Sequence, residues 1–96
     1  MVNFERGIAL RLDSEVVSRK LGDRLVLVNL RTNRIYELNG TASRLWELLE
    51  AGSGRTELEE ALLKEFDVDR SVVSQEIDRT IARLSSEGLI YEPEAA

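Results

Sequence analysis

The residues that could carry out chemistry are few in this sequence. The 96-residue chain contains no histidine and no cysteine, so it cannot form a histidine-activated nucleophile or a zinc site built from those ligands. The stretch Gly52-Ser-Gly-Arg55 is rich in glycine but lacks the Gly-Lys-Ser/Thr ending of a phosphate-binding loop. Glu59 and Glu60 are adjacent, so in a helix they point to different faces. The sequence therefore predicts a protein without enzyme activity, metal or cofactor.

The stretch from residue 34 to residue 42 is the most informative part of the chain, because it predicts a strand that leads directly into a helix. Arg34–Leu38 alternates between two faces, as a short strand does. Asn39 and Thr41 follow, and both have the short side-chain oxygen that caps a helix N-terminus. If this strand is the last of its sheet, its unpaired edge beside the helix is suited to binding an extended peptide.

The length and composition are typical of one globular domain, predicted to span residues 1–96. The chain has no run of about 18 apolar residues and no apolar signal-peptide segment at its start, which argues against a membrane partner and favours the cytoplasm. Its formal net charge is −5. Residues 1–40 hold seven Arg/Lys against five Asp/Glu, whereas residues 41–96 hold six against thirteen. Such an acidic second half repels phosphate and disfavours nucleic acid as a partner.

The first part of the chain is predicted to form β-structure. Short alternating runs at 8–12 and 16–21 precede a strongly apolar strand at 24–30. That strand has apolar residues on both faces, which is typical of a central strand. The alternative interpretation is that Leu25 and Leu27 face a partner protein or a second copy of the chain, in which case a charge at Leu27 would disturb association without unfolding the domain.

The second part is predicted to form three helices. The first spans about 41–50, the second begins with a capping box at Thr56–Glu59, and Asp69 caps the third. The apolar stripe of the third helix contains Val73, Ile77, Ile81 and Leu84. Glu76 and Thr80 flank this stripe on one side, and Ser74 and Asp78 flank it on the other. A sheet followed by three helices is an α+β pattern, and the last two helices resemble a helix-turn-helix.

The order of these motifs resembles the PQQ-synthesis protein D family over about residues 10–92. The resemblance is carried by Tyr36-Glu-Leu-Asn-Gly-Thr-Ala42 before Leu45-Trp-Glu-Leu-Leu49, and by Glu65-Phe-Asp-Val-Asp69 before Leu84-Ser-Ser-Glu-Gly-Leu-Ile90. Arg70 departs from the proline that often follows the aspartate in this family, but arginine is also compatible with the first helical position. The resemblance implies a winged helix-turn-helix-like fold with an N-terminal three-stranded antiparallel sheet followed by three helices.

The family resemblance also implies a function. Its members bind the leader segment of a ribosomally made precursor peptide and present it to a modifying enzyme; stand-alone members of this size resemble the leader-binding proteins of lasso-peptide clusters, which work with a separate leader peptidase. The leader adds as a strand to the edge formed by Arg34, Ile35, Tyr36, Glu37 and Leu38. The helix side of the groove would use some of Val73, Ile77, Thr80, Ile81 and Leu84.

A structural role competes with the binding role for several of these residues. Tyr36, Leu38 and most of the third-helix stripe are expected mainly in the core, because aromatic and aliphatic side chains at such spacing dominate core packing. A winged-helix DNA-binding regulator is the alternative function. Its third helix should be basic, but residues 69–87 hold three arginines against four Asp/Glu. This balance argues against the DNA-binding alternative and, together with the family resemblance, favours a non-catalytic peptide-binding adaptor whose partners are a precursor peptide and a processing enzyme.

Overall fold

The structure, a computed structural model, describes residues 10–92 and consists of short strands followed by three helices. In chain order the elements are β1 (Arg11–Leu12), β2 (Val16–Leu21), β3 (Arg24–Asn29), β4 (Arg34–Leu38), α1 (Gly40–Glu50), α2 (Arg55–Glu65), α3 (Arg70–Ser86) and β5 (Ile90–Tyr91). This order confirms the predicted α+β class. None of the helices in this part of the chain is long and apolar enough to cross a membrane.

The main sheet is antiparallel and has the strand order β2-β3-β4. The turn between β2 and β3 uses Gly22 at a φ of 65°, a left-handed conformation that glycine adopts without steric cost. The turn between β3 and β4 places Asn33 at a φ of 62°, which asparagine tolerates better than most residues. The central position of β3 is as predicted, and β4 is an edge strand of this sheet.

The two faces of β3 are covered differently. Leu25 and Leu27 are 4% and 0% exposed, whereas Val26 and Val28 on the opposite face are only half-buried. The expectation that Leu25 and Leu27 could meet a partner protein is therefore wrong for this structure, because both side chains are buried in the core and are not available to another molecule. Both faces of the strand are apolar in the sequence, so the sequence alone could not decide which one the helices cover.

Helix α1 begins where the sequence predicts a cap. The side-chain Oδ1 of Asn39 accepts a hydrogen bond from the N–H of Ala42 at 2.9 Å, which satisfies a free donor of the first turn. The apolar stripe of α1 is buried, and Trp46 is among its fully buried side chains. The junction between β4 and α1 is thus tight, which places the edge strand directly beside the helical layer.

The N-cap of helix α2 lies two residues earlier than predicted. This N-cap is Gly54, and the backbone N–H of Gly54 donates to Oε1 of Glu57 at 2.7 Å. The expected capping box at Thr56–Glu59 is not formed, because Thr56 already lies inside the first turn of the helix. Asp69 is the N-cap of α3 by its position, but its side chain makes no capping hydrogen bond.

The side chain of Arg55 holds α2 against α3. Arg55 is the first residue of α2 and is buried. Its guanidinium donates to Oδ1 of Asp78 and, at 2.8 Å, to the Ser74 hydroxyl.

The last strand, β5, pairs antiparallel with β1 and forms a second, two-stranded sheet. The described part of the predicted strand at 8–12 forms β1, while residues 8 and 9 lie outside the described residues.

Candidate functional site

A side chain of α1 completes the last rung of the ladder between β3 and β4. The N–H of Leu25 donates to the Ser43 hydroxyl at 3.0 Å, and this hydroxyl donates to the C=O of Leu38 at 2.9 Å. Leu25 and Leu38 are opposite each other in the register, and because one hydroxyl bridges them, the N–H of Leu25 and the C=O of Leu38 point towards each other. This orientation alternates along an antiparallel strand, so the backbone N–H and C=O groups of Ile35 and Glu37 point away from β3.

The side chains of β4 alternate between the helical layer and the outer face of the sheet. Leu38 is buried and Tyr36 is half-buried on the helical side. Ile35 is 70% exposed on the outer face, where Glu37 forms an ion pair with Arg24 at 2.9 Å. The predicted edge residues are therefore together on one strand, but they present different chemistry to the two sides of the sheet.

The end of α3 contacts the first half of β4 through one carboxylate. Oε1 of Glu87, the C-cap residue of α3, accepts a hydrogen bond from the Arg34 guanidinium at 3.3 Å and another from the Tyr36 hydroxyl at 3.4 Å. These contacts place the C-terminal end of α3 beside the beginning of β4.

A small apolar cavity marks the opposite end of the same region. It has a volume of about 90 Å³ and includes Thr41, just beyond the C-terminal end of β4, and Glu76 of α3. The remaining lining residues are apolar, namely Leu62, Phe66, Val68, Val72 and Val73. Because the C-terminal end of α3 lies near Arg34 and its N-terminal half lies near Thr41, β4 and α3 run side by side in opposite directions.

One stripe of α3 faces this region, which we call the β4–α3 groove. Val72 and Glu76 line the cavity, and Glu87 contacts β4. Arg83 lies seven residues after Glu76 and four before Glu87, which are spacings that return to the same side of a helix. The groove side of α3 is therefore defined by Val72, Glu76, Arg83 and Glu87, with Thr80 at its inner border.

The structure places the predicted helix residues of the groove in different environments. Val73, Ile77 and Leu84 are core residues, and Thr80 is 9% exposed. Ile81 is half-buried, but it lies seven residues after Ser74, on the margin that Arg55 of α2 contacts. The prediction that Ile81 lines the groove with β4 therefore does not agree with the structure.

The sequence had placed Glu76 and Thr80 on one margin of the stripe and had not decided which margin lines the groove. The contacts of Glu87 with β4 provide that decision. Val72, Arg83 and Glu87 were not predicted as groove residues, because each is polar or isolated from the apolar stripe in the sequence.

A second, more open cavity of about 460 Å³ lies near the turn between β2 and β3. Arg44 in its wall donates two hydrogen bonds to the Glu65 carboxylate, at 2.8 and 2.9 Å. These hydrogen bonds hold the pKa of Glu65 below its ordinary value and raise the pKa of Arg44. Lys20 approaches Glu47 at 3.6 Å in the same wall. These ion pairs tie α1 to α2 and to β2, which is a structural role.

A metal centre is not a feature of residues 10–92, since no group of three or more potential metal-ligating side chains occurs there. The chemistry that the groove offers is instead that of recognition. It combines an unpaired strand edge, an apolar cavity and a few charged side chains.

The fold and the groove together define a winged helix-turn-helix-like α+β domain with an open strand edge beside its last helix. The sequence model of the family described as Coenzyme PQQ synthesis protein D (PqqD) matches residues 24–90. The match spans more than half of the chain, so the chain belongs to this family, as the motif resemblance predicted.

Two solved structures are similar to the chain. One is TbiB1 in complex with the TbiA(beta) leader peptide, with 31% sequence identity over 90% of this chain and 99% of that chain and a TM-score of 0.81. The other is lasso peptide synthetase B1 complexed with the leader peptide, with 23% identity over 84% of this chain and 95% of that chain and a TM-score of 0.78. The second likeness supports the fold. No curated protein sequence matches the chain significantly.

Proposed function

We propose that this chain binds the leader segment of a ribosomally made precursor peptide by strand addition to β4. The observation that carries the proposal is the edge of β4 with the outward backbone groups of Ile35 and Glu37, beside an apolar cavity. The similar chain TbiB1 was solved with a leader peptide, which supports the same ligand class here. Backbone pairing along an open strand is a general way in which domains bind extended peptides.

Hydrogen bonds alone do not explain selective binding at this edge. Ile35 and Glu37 offer two donors and two acceptors, and each hydrogen bond contributes about 0.5–1.5 kcal/mol net. Ordering a flexible peptide costs about 2–5 kcal/mol, which offsets most of that gain. An apolar side chain of the peptide must therefore supply the remaining affinity. The cavity beside Thr41 suits this anchor because Leu62, Phe66 and Val72 form its wall.

The adaptor has no catalytic role in this proposal. With no histidine or cysteine in the chain, it would hold the leader in the cytoplasm, where ribosomes deliver the precursor, and present it to a separate processing enzyme. A leader peptidase of a lasso-peptide system is the partner enzyme that the family resemblance favours. The whole chain, residues 1–96, would act as one recognition domain.

Peptide selection followed by a backbone substitution tests the proposal. The protein would be screened against phage-displayed random 16-residue peptides, and the TbiA(beta) leader would be displayed beside them as a defined candidate. Enriched peptides would be synthesised with a fluorescent label and titrated by anisotropy. Ile35→Pro removes the outward N–H and should weaken binding at least about tenfold, since it removes one hydrogen bond and distorts the edge.

Ile35→Val is the matched control, because it keeps the N–H and an apolar β-branched side chain and should bind like the parent. Circular dichroism would verify that both variants are folded. A screen without enriched peptides, or enriched peptides whose affinity ignores Ile35→Pro in a folded variant, would contradict strand addition at β4.

A further inference from the structure

Arg83 is a charged residue of the groove whose side chain is not used by the described part of the fold. It lies in the last turn of α3, on the groove side between Glu76 and Glu87. Its guanidinium makes no hydrogen bond or ion pair with another residue of the described range 10–92. The other exposed arginines of α3 differ in this respect, since Arg70 pairs with Glu59 at 3.2 Å and Arg79 pairs with Glu76 at 3.1 Å.

The missing pair is notable because a partner is available in the sequence. Arg83 and Glu87 are four residues apart, a spacing that makes two side chains neighbours on a helix surface. Glu87 instead turns across the groove, where Arg34 and Tyr36 donate to its carboxylate. Within residues 10–92, Arg83 thus faces the groove without an acidic neighbour that would neutralise it.

A cation in the last turn of a helix also has a purely structural explanation, because it interacts favourably with the helix dipole. That explanation accounts for the position of Arg83 along the helix. It does not explain why Glu87 contacts Arg34 and Tyr36 rather than Arg83. It also does not explain why Arg83 lies on the side of α3 that borders the β4 edge. Arginine binds carboxylates through a planar fork of donors, which gives both strength and directional selectivity.

We infer that Arg83 is a carboxylate-binding position of the groove and that it selects peptides with an acidic side chain. This inference rests on the proposed peptide-binding function and adds a second feature to the ligand. One peptide side chain is apolar and fills the cavity beside Val72. Another is aspartate or glutamate and pairs with Arg83.

The helix sets the spacing of the two peptide residues. Val72 and Arg83 are eleven residues apart, which corresponds to about 16 Å along a helix that rises 1.5 Å per residue. An extended peptide covers this distance with about five residues at roughly 3.3 Å each. Because side chains alternate along a strand, two residues that face the same groove are an even number apart, so the acidic residue lies about four or six positions from the apolar anchor.

A charge-reversal experiment tests this assignment. The intact protein, Arg83→Glu and Arg19→Glu would each be screened against the phage-displayed library of random 16-residue peptides. Arg19 is a matched control, since it is exposed on the outer face of the sheet, is likewise unpaired among the described residues, and its reversal changes the net charge equally. The parent and Arg19→Glu should enrich peptides with an acidic residue four or six positions from an apolar one. Arg83→Glu should enrich lysine or arginine at that position.

Anisotropy with one synthetic acidic peptide and its lysine counterpart gives the size of the effect. We expect Arg83→Glu to bind the acidic peptide about tenfold more weakly, in line with a charge-assisted hydrogen bond in a partly enclosed site. The same variant should bind the lysine peptide more tightly than the parent does. Arg83→Gln should lose affinity for the acidic peptide without gaining the lysine preference. A helix-terminus role for Arg83 would change stability but would produce no such exchange.

The outcomes separate the inference from the function on which it rests. No enrichment with the folded parent contradicts peptide binding itself. Enriched peptides that depend on the N–H of Ile35, but whose charge preference is the same in the parent and Arg83→Glu, support the function and overturn the role of Arg83. Thermal melts followed by circular dichroism would verify that each variant compared is folded.

Discussion

Replacing Ser43 by alanine tests how the edge strand is held in place. The hydroxyl of Ser43 bridges the N–H of Leu25 and the C=O of Leu38, and both leucines are buried. The substitution leaves a buried donor and a buried acceptor without their partner. Each such group costs about 1–3 kcal/mol, and removing the buried hydroxyl itself returns part of that cost. We expect Ser43→Ala to lower the free energy of unfolding by about 2–4 kcal/mol.

The fluorescence of Trp46 can report on unfolding, because Trp46 is the single tryptophan of the chain and is fully buried. Urea unfolding followed by its fluorescence gives the stability, and a loss of this size corresponds to a decrease in melting temperature of about 10–25 °C for a domain of this length. Ser86→Ala is the control, because the exposed Ser86 hydroxyl bonds only a carbonyl in the last turn of α3; it should cost less than about 0.5 kcal/mol.

A cost below about 1 kcal/mol for Ser43→Ala would refute this reasoning. It would mean that the N–H of Leu25 and the C=O of Leu38 bond each other directly once the hydroxyl is absent. The strand edge would then not depend on α1 for its position. If the large cost is observed, the same variant should also weaken peptide binding, since the C-terminal end of β4 borders the cavity.

Three further expectations concern the core, the groove and an ion pair. Leu27→Ala should cost about 2–5 kcal/mol in urea unfolding because the side chain has no exposed surface, whereas Val28→Ala on the half-buried face should cost less than about 1 kcal/mol. Val72→Asp should weaken binding of selected peptides in anisotropy at nearly unchanged stability, whereas Ile81→Asp should mainly destabilise the fold; the reverse pattern would place the groove on the other margin of α3. Glu65→Gln should cost about 0.2–1 kcal/mol at neutral pH. The hydrogen bonds from Arg44 lower the pKa of Glu65. The pair therefore stabilises the fold above the ordinary carboxyl range and loses that effect as pH falls through the lowered pKa. If the stability of the parent and of Glu65→Gln depended on pH in the same way, the assignment would be contradicted.

The parts of the fold that the sequence predicted well have a single strong local signal. The junction from β4 to α1 combines an alternating strand with Asn39, whose side chain indeed caps the helix. The start of α2 was predicted less well because two acidic residues compete for the same role. Glu57 caps Gly54, and glycine has no side chain that would mark the true N-cap in the sequence.

The candidate site was predictable only where the backbone determines it. The edge position of β4 followed from its place as the last strand before the helices. The groove side of α3 did not follow from the helical period, because Glu76 and Ser74 flank the same apolar stripe on opposite margins and the period does not distinguish between them. Deciding between them required a contact between elements distant in sequence, and Glu87 with Arg34, 53 residues apart, supplied it.

The open edge of β4 also has a consequence for the protein without its ligand. An unpaired strand with an isoleucine that is 70% exposed is a template on which another chain can add by sheet extension, the route that leads to aggregation. Arg34 and Glu37 put charges on this edge, and charged side chains on edge strands oppose such pairing. Peptide-free protein at high concentration should therefore be the state most prone to self-association, and a bound peptide should act as a solubilising cap on the sheet.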